Sequence, residues 1–275
     1  LMIKIIHISE SDFEGGAAKA ACRILDSLNK DQNLECVMRV NKKFTNNKKI
    51  FSSNKLNIFL KHLKCYLSVK IQKMQKTNNS ILHSLSLFPS FLHIELNKSS
   101  ADIIHLHWVQ GEMISIEEIG KIKKPIIWTL HDSWPYCGSE HHPNGINDIR
   151  FIKGYYSRTR DTSHKGIDLD KFSWNRKVRS WKNPMVLVAP SSWIASCAKK
   201  SKLMSNQKIK VIPNPLPIDI YRPRSKNLSR KKFSLPLDKK LILYGSLSSF
   251  EDEMKGWNLF KETVLKISKK SLDVS

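Results

Sequence analysis

The residues in this chain best placed to do chemistry are an imidazole and a carboxylate side by side, His131 and Asp132, within Trp128-Thr-Leu-His-Asp-Ser-Trp-Pro-Tyr136. An imidazole can hold or pass a proton near neutral pH. The pair follows Ile126 to Leu130, a short apolar run rich in β-branched and aromatic residues that reads as a buried strand. Pro135 stops regular structure soon after. In an open parallel sheet, ligands bind just beyond the carboxyl ends of the strands, and the pair falls there. The plainer reading makes Asp132 a turn initiator and His131 an ordinary loop histidine; position alone leaves both open.

Three other groups bear on a site. Gly15-Gly16 lies between a strand-like and a helix-like segment, where glycines let backbone N–H groups approach an anion at the positive end of the helix. Tight strand-to-helix turns also use glycine for steric reasons alone, and neither a GxGxxG fingerprint nor a P-loop lysine pattern is present. His105 and His107, two apart in a strand, share one sheet face. Cys137 with His141 and His142 could be taken for a metal cluster, but adjacent histidines do not easily reach one ion from a single turn, so no metal is expected.

Stepping along the chain, apolar runs at Met2–Ser9, Asp102–Trp108, Ile126–Leu130, Met185–Ala189 and Lys208–Ile212 read as parallel strands, with Leu34–Val40 an alternating one. Helices are expected over Ala17–Leu28, Leu56–Met74, Ser115–Gly120 (capped by Ser115, with Glu118 three residues on), Ile167–Trp181 and after Pro190. This rhythm predicts an α/β, Rossmann-like, doubly wound parallel sheet. Asn41–Asn54 and Cys137–His164 read as loops, the second long enough to be a lid or a mobile segment. The proline-rich Pro213–Pro217 and the basic Arg222–Lys232 predict a domain of residues 1–212, a linker of 213–235 and the start of a second domain over 236–275. That start is read as a strand over Lys240–Gly245, a loop over Ser246–Met254 and a helix from Lys255.

The chain has 47 basic and 24 acidic side chains, a formal charge of +23, which attracts polyanions. The basic residues are dispersed and no aromatic-basic readout module is visible, so nucleic acid is not an expected partner. Lys61, Lys64, Lys70 and Lys73 on the Leu56–Met74 helix could touch anionic lipid at the inner face of a plasma membrane; the preferred reading makes them the solvated face of a core-packed helix. Five scattered cysteines without CxxC spacing fit a reduced, cytoplasmic compartment.

The order of motifs resembles the retaining GT-B glycosyltransferases of family 4, in particular the branch that builds bacterial cell-surface polysaccharide. The matching stretches are Gly15-Gly16-Ala-Ala-Lys19, Asp102-Ile-Ile-His-Leu-His-Trp108, Trp128 to Tyr136, Pro190-Ser-Ser-Trp193, Val211-Ile-Pro-Asn-Pro215 and Lys255-Gly-Trp257. Singly they are weak; together they run in family order from residue 1 to about 257.

The resemblance implies two Rossmann-like domains, an acceptor-side one first, and transfer of a sugar from a nucleotide-sugar to a saccharide or lipid-linked acceptor without metal or cofactor. It assigns His131 and Lys255 to catalysis, Gly15, Gly16, Lys255 and Gly256 to donor binding, and Lys19, Asp132 and Trp134 to the acceptor. A cation at Lys255 would stabilise charge growing on the leaving diphosphate. Two departures stand out: Ser246 follows Gly245 where many members place arginine, and no Glu-x7-Glu segment follows before the sequence ends. These departures lead to the expectation of a truncated second domain that binds donor weakly or not at all and leaves the chain inactive alone. The alternative is a non-catalytic acceptor-binding remnant or half of a split enzyme.

Overall fold

A computed structural model describes residues 2–52, 55–143, 148–246 and 255–269. In chain order the elements are β1 (Ile3–Ser11), α1 (Gly15–Leu28), β2 (Leu34–Lys42), β3 (Ile50–Ser52), α2 (Lys55–Gln72), β4 (Gln75–Lys76), α3 (Leu92–Lys98), β5 (Ile103–Leu106) and α4 (Ile116–Gly120). They continue with β6 (Ile126–Thr129), α5 (Arg150–Lys153), β7 (Lys165–Gly166), α6 (Leu169–Ser180), β8 (Met185–Ala189), α7 (Ser192–Lys200), β9 (Lys208–Val211), α8 (Lys226–Lys232) and α9 (Trp257–Ser268). Contacts divide the chain into two units, Leu1–Pro215 and Leu216–Ser275.

The first unit is built on a seven-stranded parallel sheet of order β3-β2-β1-β5-β6-β8-β9. This is the α/β, Rossmann-like sheet that the alternation of apolar runs and helical patterns predicts. Strand order reverses between β1 and β5, so the chain leaves the sheet there in opposite directions and opens a crevice beyond the carboxyl ends. Both faces are covered, which is why the central strands are apolar almost throughout. On one face α1 lays Ala21 and Leu25 against Ile5, Cys36, Met38 and Val40, its alanines allowing close approach. On the other face Ile8, Leu106, Trp128, Leu130 and Trp181 form the larger core. Ser115 and Glu118 form the capping box expected at the start of α4.

Four local expectations give way. Asn41–Asn54 contains β3, an edge strand too short for periodicity to reveal. The segment from Cys137 is neither lid nor free loop at its start: Cys137 to His141 are buried, and Met74–Lys76 and Lys165–Ile167 further on meet in a small antiparallel pair. Residues 144–147 lie outside the described part of that segment, as do residues 247–254 of the Ser246–Met254 loop.

In the second unit Lys240–Gly245 forms no strand, and Leu243 is 93% exposed. A parallel strand must exchange backbone hydrogen bonds with neighbours, and among the described residues the segment has a single bridge at Lys240 and no ladder. Arg222–Lys232, expected to be linker, contains α8, capped by the Ser225 hydroxyl. Tyr244, Trp257 and Phe260 gather into an aromatic cluster with ring centroids 4.9–5.8 Å apart.

Candidate functional site

The strand reversal sets three histidines on one sheet face. His7 of β1 is in register with His105 of β5, and His107 follows two residues on. His131, just past β6, extends the row. The rings form a ladder: His7 Nδ1 lies 3.0 Å from His107 Nε2, and His107 Nδ1 lies 3.1 Å from His131 Nε2. His105 Nε2 instead meets the Thr129 hydroxyl at 2.8 Å. Burial strips these imidazoles of the water that would stabilise their charge. It lowers His7 and His131 to about 4, Asp132 opposing the shift at His131, and His105 and His107 well below their ordinary value. All four are therefore neutral at pH 7. Only His131 reaches the surface.

Ring nitrogens of His7, His105 and His107 lie within 4.8 Å of one another, the one such grouping among the described residues near enough to hold a metal ion. No carboxylate belongs to it, and the nitrogens of His7 and His107 are engaged with each other. Sequence reading placed His105 and His107 on a common face; His7 escaped it because nothing local says that β1 and β5 are neighbours.

Asp132 is buried, and its carboxylate accepts from Trp108 Nε1 (2.8 Å), the Trp134 backbone N–H (3.1 Å) and His141 Nδ1 (2.6 Å). Burial alone would raise its pKa; the His141 contact and the other donors outweigh that and hold it below the usual range. A carboxylate so fully used has little left for an acceptor. Its work is to fix the turn that carries His131. Trp134 is enclosed entirely, with its indole N–H on the Ser84 carbonyl, which withdraws it from direct acceptor contact. Its apolar surface goes to the core because it packs between Trp128 and Trp181.

The turn is gripped from below by Lys177 of α6, which no sequence signal singled out. This side chain is fully buried, donates to the carbonyls of Trp134, Cys137 (3.2 Å) and Gly138 (2.7 Å), and rests 3.6 Å from the Trp134 ring centroid. Burial lowers its pKa to about 7, against the opposing influence of Cys137, Glu140 and Asp132.

Gly15 and Gly16 open α1 in solvent, with no side chain capping the first turn. Gly15 sits at φ +85, where a side chain would strain the backbone. Ser11 instead accepts the N–H groups of Phe13 and Glu14 just ahead of the helix. Lys19 is exposed, its ammonium 5.3 Å from the Phe13 ring centroid. A hollow of about 250 Å³ lies beside the carboxyl end of β2, lined by Arg39, Asn41, Lys61, Phe91 and Glu112 among others. It includes neither His131 nor the Gly15 turn, and its Lys61 and Arg39 are paired with Glu10 and Glu95. In the second unit, Lys255 is exposed and Gly256, at φ +68, begins α9.

No protein-family model and no curated protein sequence matches this chain. The solved structures similar to it include the following two. HepE of Anabaena, in complex with UDP, is 12% identical with a TM-score of 0.39, over 92% of this chain and 56% of the other. A ugt transferase of Siraitia grosvenorii, also with UDP, is 10% identical with a TM-score of 0.36, over 90% of this chain and 57% of the other. The chain thus spans little more than half the length of either.

Proposed function

We propose that the first unit is the acceptor-side half of a retaining, family 4-like glycosyl-transfer site that works on cell-surface saccharide or lipid-linked acceptors. One observation carries the reading: His131 is the single surface-reaching ring of the ladder, held by a hydrogen-bonded turn just past β6, one strand over from the β1–β5 reversal. Its neutral imidazole would hydrogen-bond a donor sugar. The uncapped first turn of α1 would offer the Gly16 N–H to the diphosphate, with Lys19 on the acceptor side. In the second unit, Lys255 with Gly256 beside it would by the same resemblance be the donor-binding cation. No cofactor is required by this chemistry.

The test is incubation of the chain, alone and with a separately supplied donor-binding half, with labelled UDP-sugars, following hydrolysis and transfer; alone it is expected to show little or no turnover. His131→Ala is expected to lower the rate about 10²-fold, the scale of one lost preorganised hydrogen-bond donor. An unchanged rate refutes the role of His131. Acceptor binding with no turnover under either condition would favour the non-catalytic acceptor-binding remnant.

A second element concerns α2, whose orientation reverses the preferred reading of its sequence. Lys61 is turned inward onto Glu10, while Phe59, Leu63 and Tyr66 point outward at 68%, 50% and 59% exposure. The helix presents its apolar side to solvent. Lys70 lies beside Tyr66 on that side, 5.3 Å from its ring centroid. Between Glu35 and Glu95 the sequence has eleven Lys and Arg and no Asp or Glu. Arg39, Lys42 and Lys61 of that run are paired with Glu95, Glu14 and Glu10, and the apolar side chains flanked by the remaining basic residues fit an anionic bilayer surface, where each lysine near the headgroups adds about 1 kcal/mol. No helix among the described residues is long and apolar enough to cross a membrane. Flotation with phosphatidylglycerol vesicles is expected to recover the chain, with recovery falling at least about tenfold in neutral vesicles or in the Phe59→Ser, Leu63→Ser, Tyr66→Ser variant. Equal binding to neutral vesicles sinks the idea, and a concentration-dependent dimer abolished by the same substitutions would give the face to a second copy.

A further inference from the structure

The ladder has only two self-consistent arrangements of its protons, because each neutral ring carries one N–H and each contact needs one donor and one acceptor. In the first, His131 Nε2–H donates to His107 Nδ1 and His107 Nε2–H donates to His7 Nδ1, so all three are Nε2–H tautomers. In the second, His7 Nδ1–H donates to His107 Nε2 and His107 Nδ1–H donates to His131 Nε2, so all three are Nδ1–H. One ring cannot change without the others.

The far end decides between them. His7 Nε2 is buried and has no hydrogen-bond partner among the described residues. An orphaned N–H is rarer in protein interiors than an orphaned acceptor, so His7 keeps its proton on Nδ1. We infer that His7 and His107 are positioning residues that lock His131 as the neutral Nδ1–H tautomer, presenting a hydrogen-bond donor at the crevice surface. The ring is then built to hold an oxygen of a bound ligand rather than to abstract a proton. That assignment of use rests on the proposed function; the tautomer does not.

Long-range 1H–15N correlation spectra of the 15N-histidine-labelled chain at pH 7 read each tautomer directly. His7, His107 and His131 are expected to share the Nδ1–H signature. In His7→Asp a carboxylate oxygen takes the place of Nδ1 and can only accept, so His131, two rings away, is expected to switch to Nε2–H. His7→Asn, with an amide N–H available at that position, should keep Nδ1–H. Mixed tautomers along the ladder, or His131 as Nε2–H in the unsubstituted chain, overturn the inference, and this stands even if His7→Asp does not fold. Stoichiometric zinc that replaces the ring N–H signals would overturn it too, making the cluster a metal site. Because the spectra need no turnover, a chain that transfers no sugar even with the donor-binding half supplied, yet shows the common tautomer, would refute only the proposed function.

Discussion

Acidification from pH 6.5 toward 4 is expected to unfold the first unit steeply. His7 and His131 have folded pKa values of about 4, and burial holds His105 and His107 well below their ordinary value, against about 6.5 unfolded. Between those values the unfolded chain binds the additional protons, so this stability is present above pH 6.5 and lost as the pH falls. Glu10 and Glu140 act in reverse, because burial raises both and they take up protons in the folded state. Lys177 is largely protonated in both states below pH 6 and drops out. Four imidazoles against two carboxyls leave a net of roughly two protons, a slope of about 3 kcal/mol per pH unit near pH 5. Against a total stability of about 5–15 kcal/mol, that is decisive. Urea midpoints at half-unit pH steps check it. His105→Gln should flatten the slope by about one proton, and a stability that is flat from pH 6.5 to 4.5 would contradict the ladder's burial.

Lys177→Ala is expected to destabilise the first unit by about 3–5 kcal/mol, the range for breaking a buried charged contact from one side. Three carbonyls of the Trp134–Gly138 turn lose their common donor, and the space above the Trp134 ring empties. Lys177→Met keeps the aliphatic stem, fills most of that space and should lose less. Urea unfolding at pH 7 gives the magnitude, and near-UV circular dichroism of the Trp128, Trp134 and Trp181 cluster reports whether the turn has loosened. A loss below about 1 kcal/mol would mean that the carbonyls find water and the clamp is dispensable.

The sheet was legible because its strands are buried on both faces and announce themselves as apolar runs, and Ser115 with Glu118 spelled out a cap. Legibility stops where the answer depends on a neighbour. The Leu56–Met74 pattern marks an amphipathic helix but not which side meets the protein, and the Lys61–Glu10 contact turned it around. Leu241 to Leu243 look like a core strand, yet they are exposed and join no ladder among the described residues. Lys177 reads as an ordinary last-turn lysine until Trp134 is seen lying beneath it. In the site, His131 and Asp132 were found from type and position, whereas the division of labour between them needed the hydrogen bonds: one ring faces out, and one carboxylate is spent inward.

The register that joins His7 to His105 has a kinetic side. Strands β1 and β2 are near in sequence, but the pairing of β1 with β5 must close a loop of nearly a hundred residues. Closure entropy grows only slowly with length, yet contacts this distant are made late on the way to the native state. Refolding should therefore build the β1–α1–β2 lobe first, with His7 still solvated and able to take a proton. The ladder then closes in the slow step, so refolding should slow markedly below about pH 6, where three imidazoles must shed their protons before they can dock.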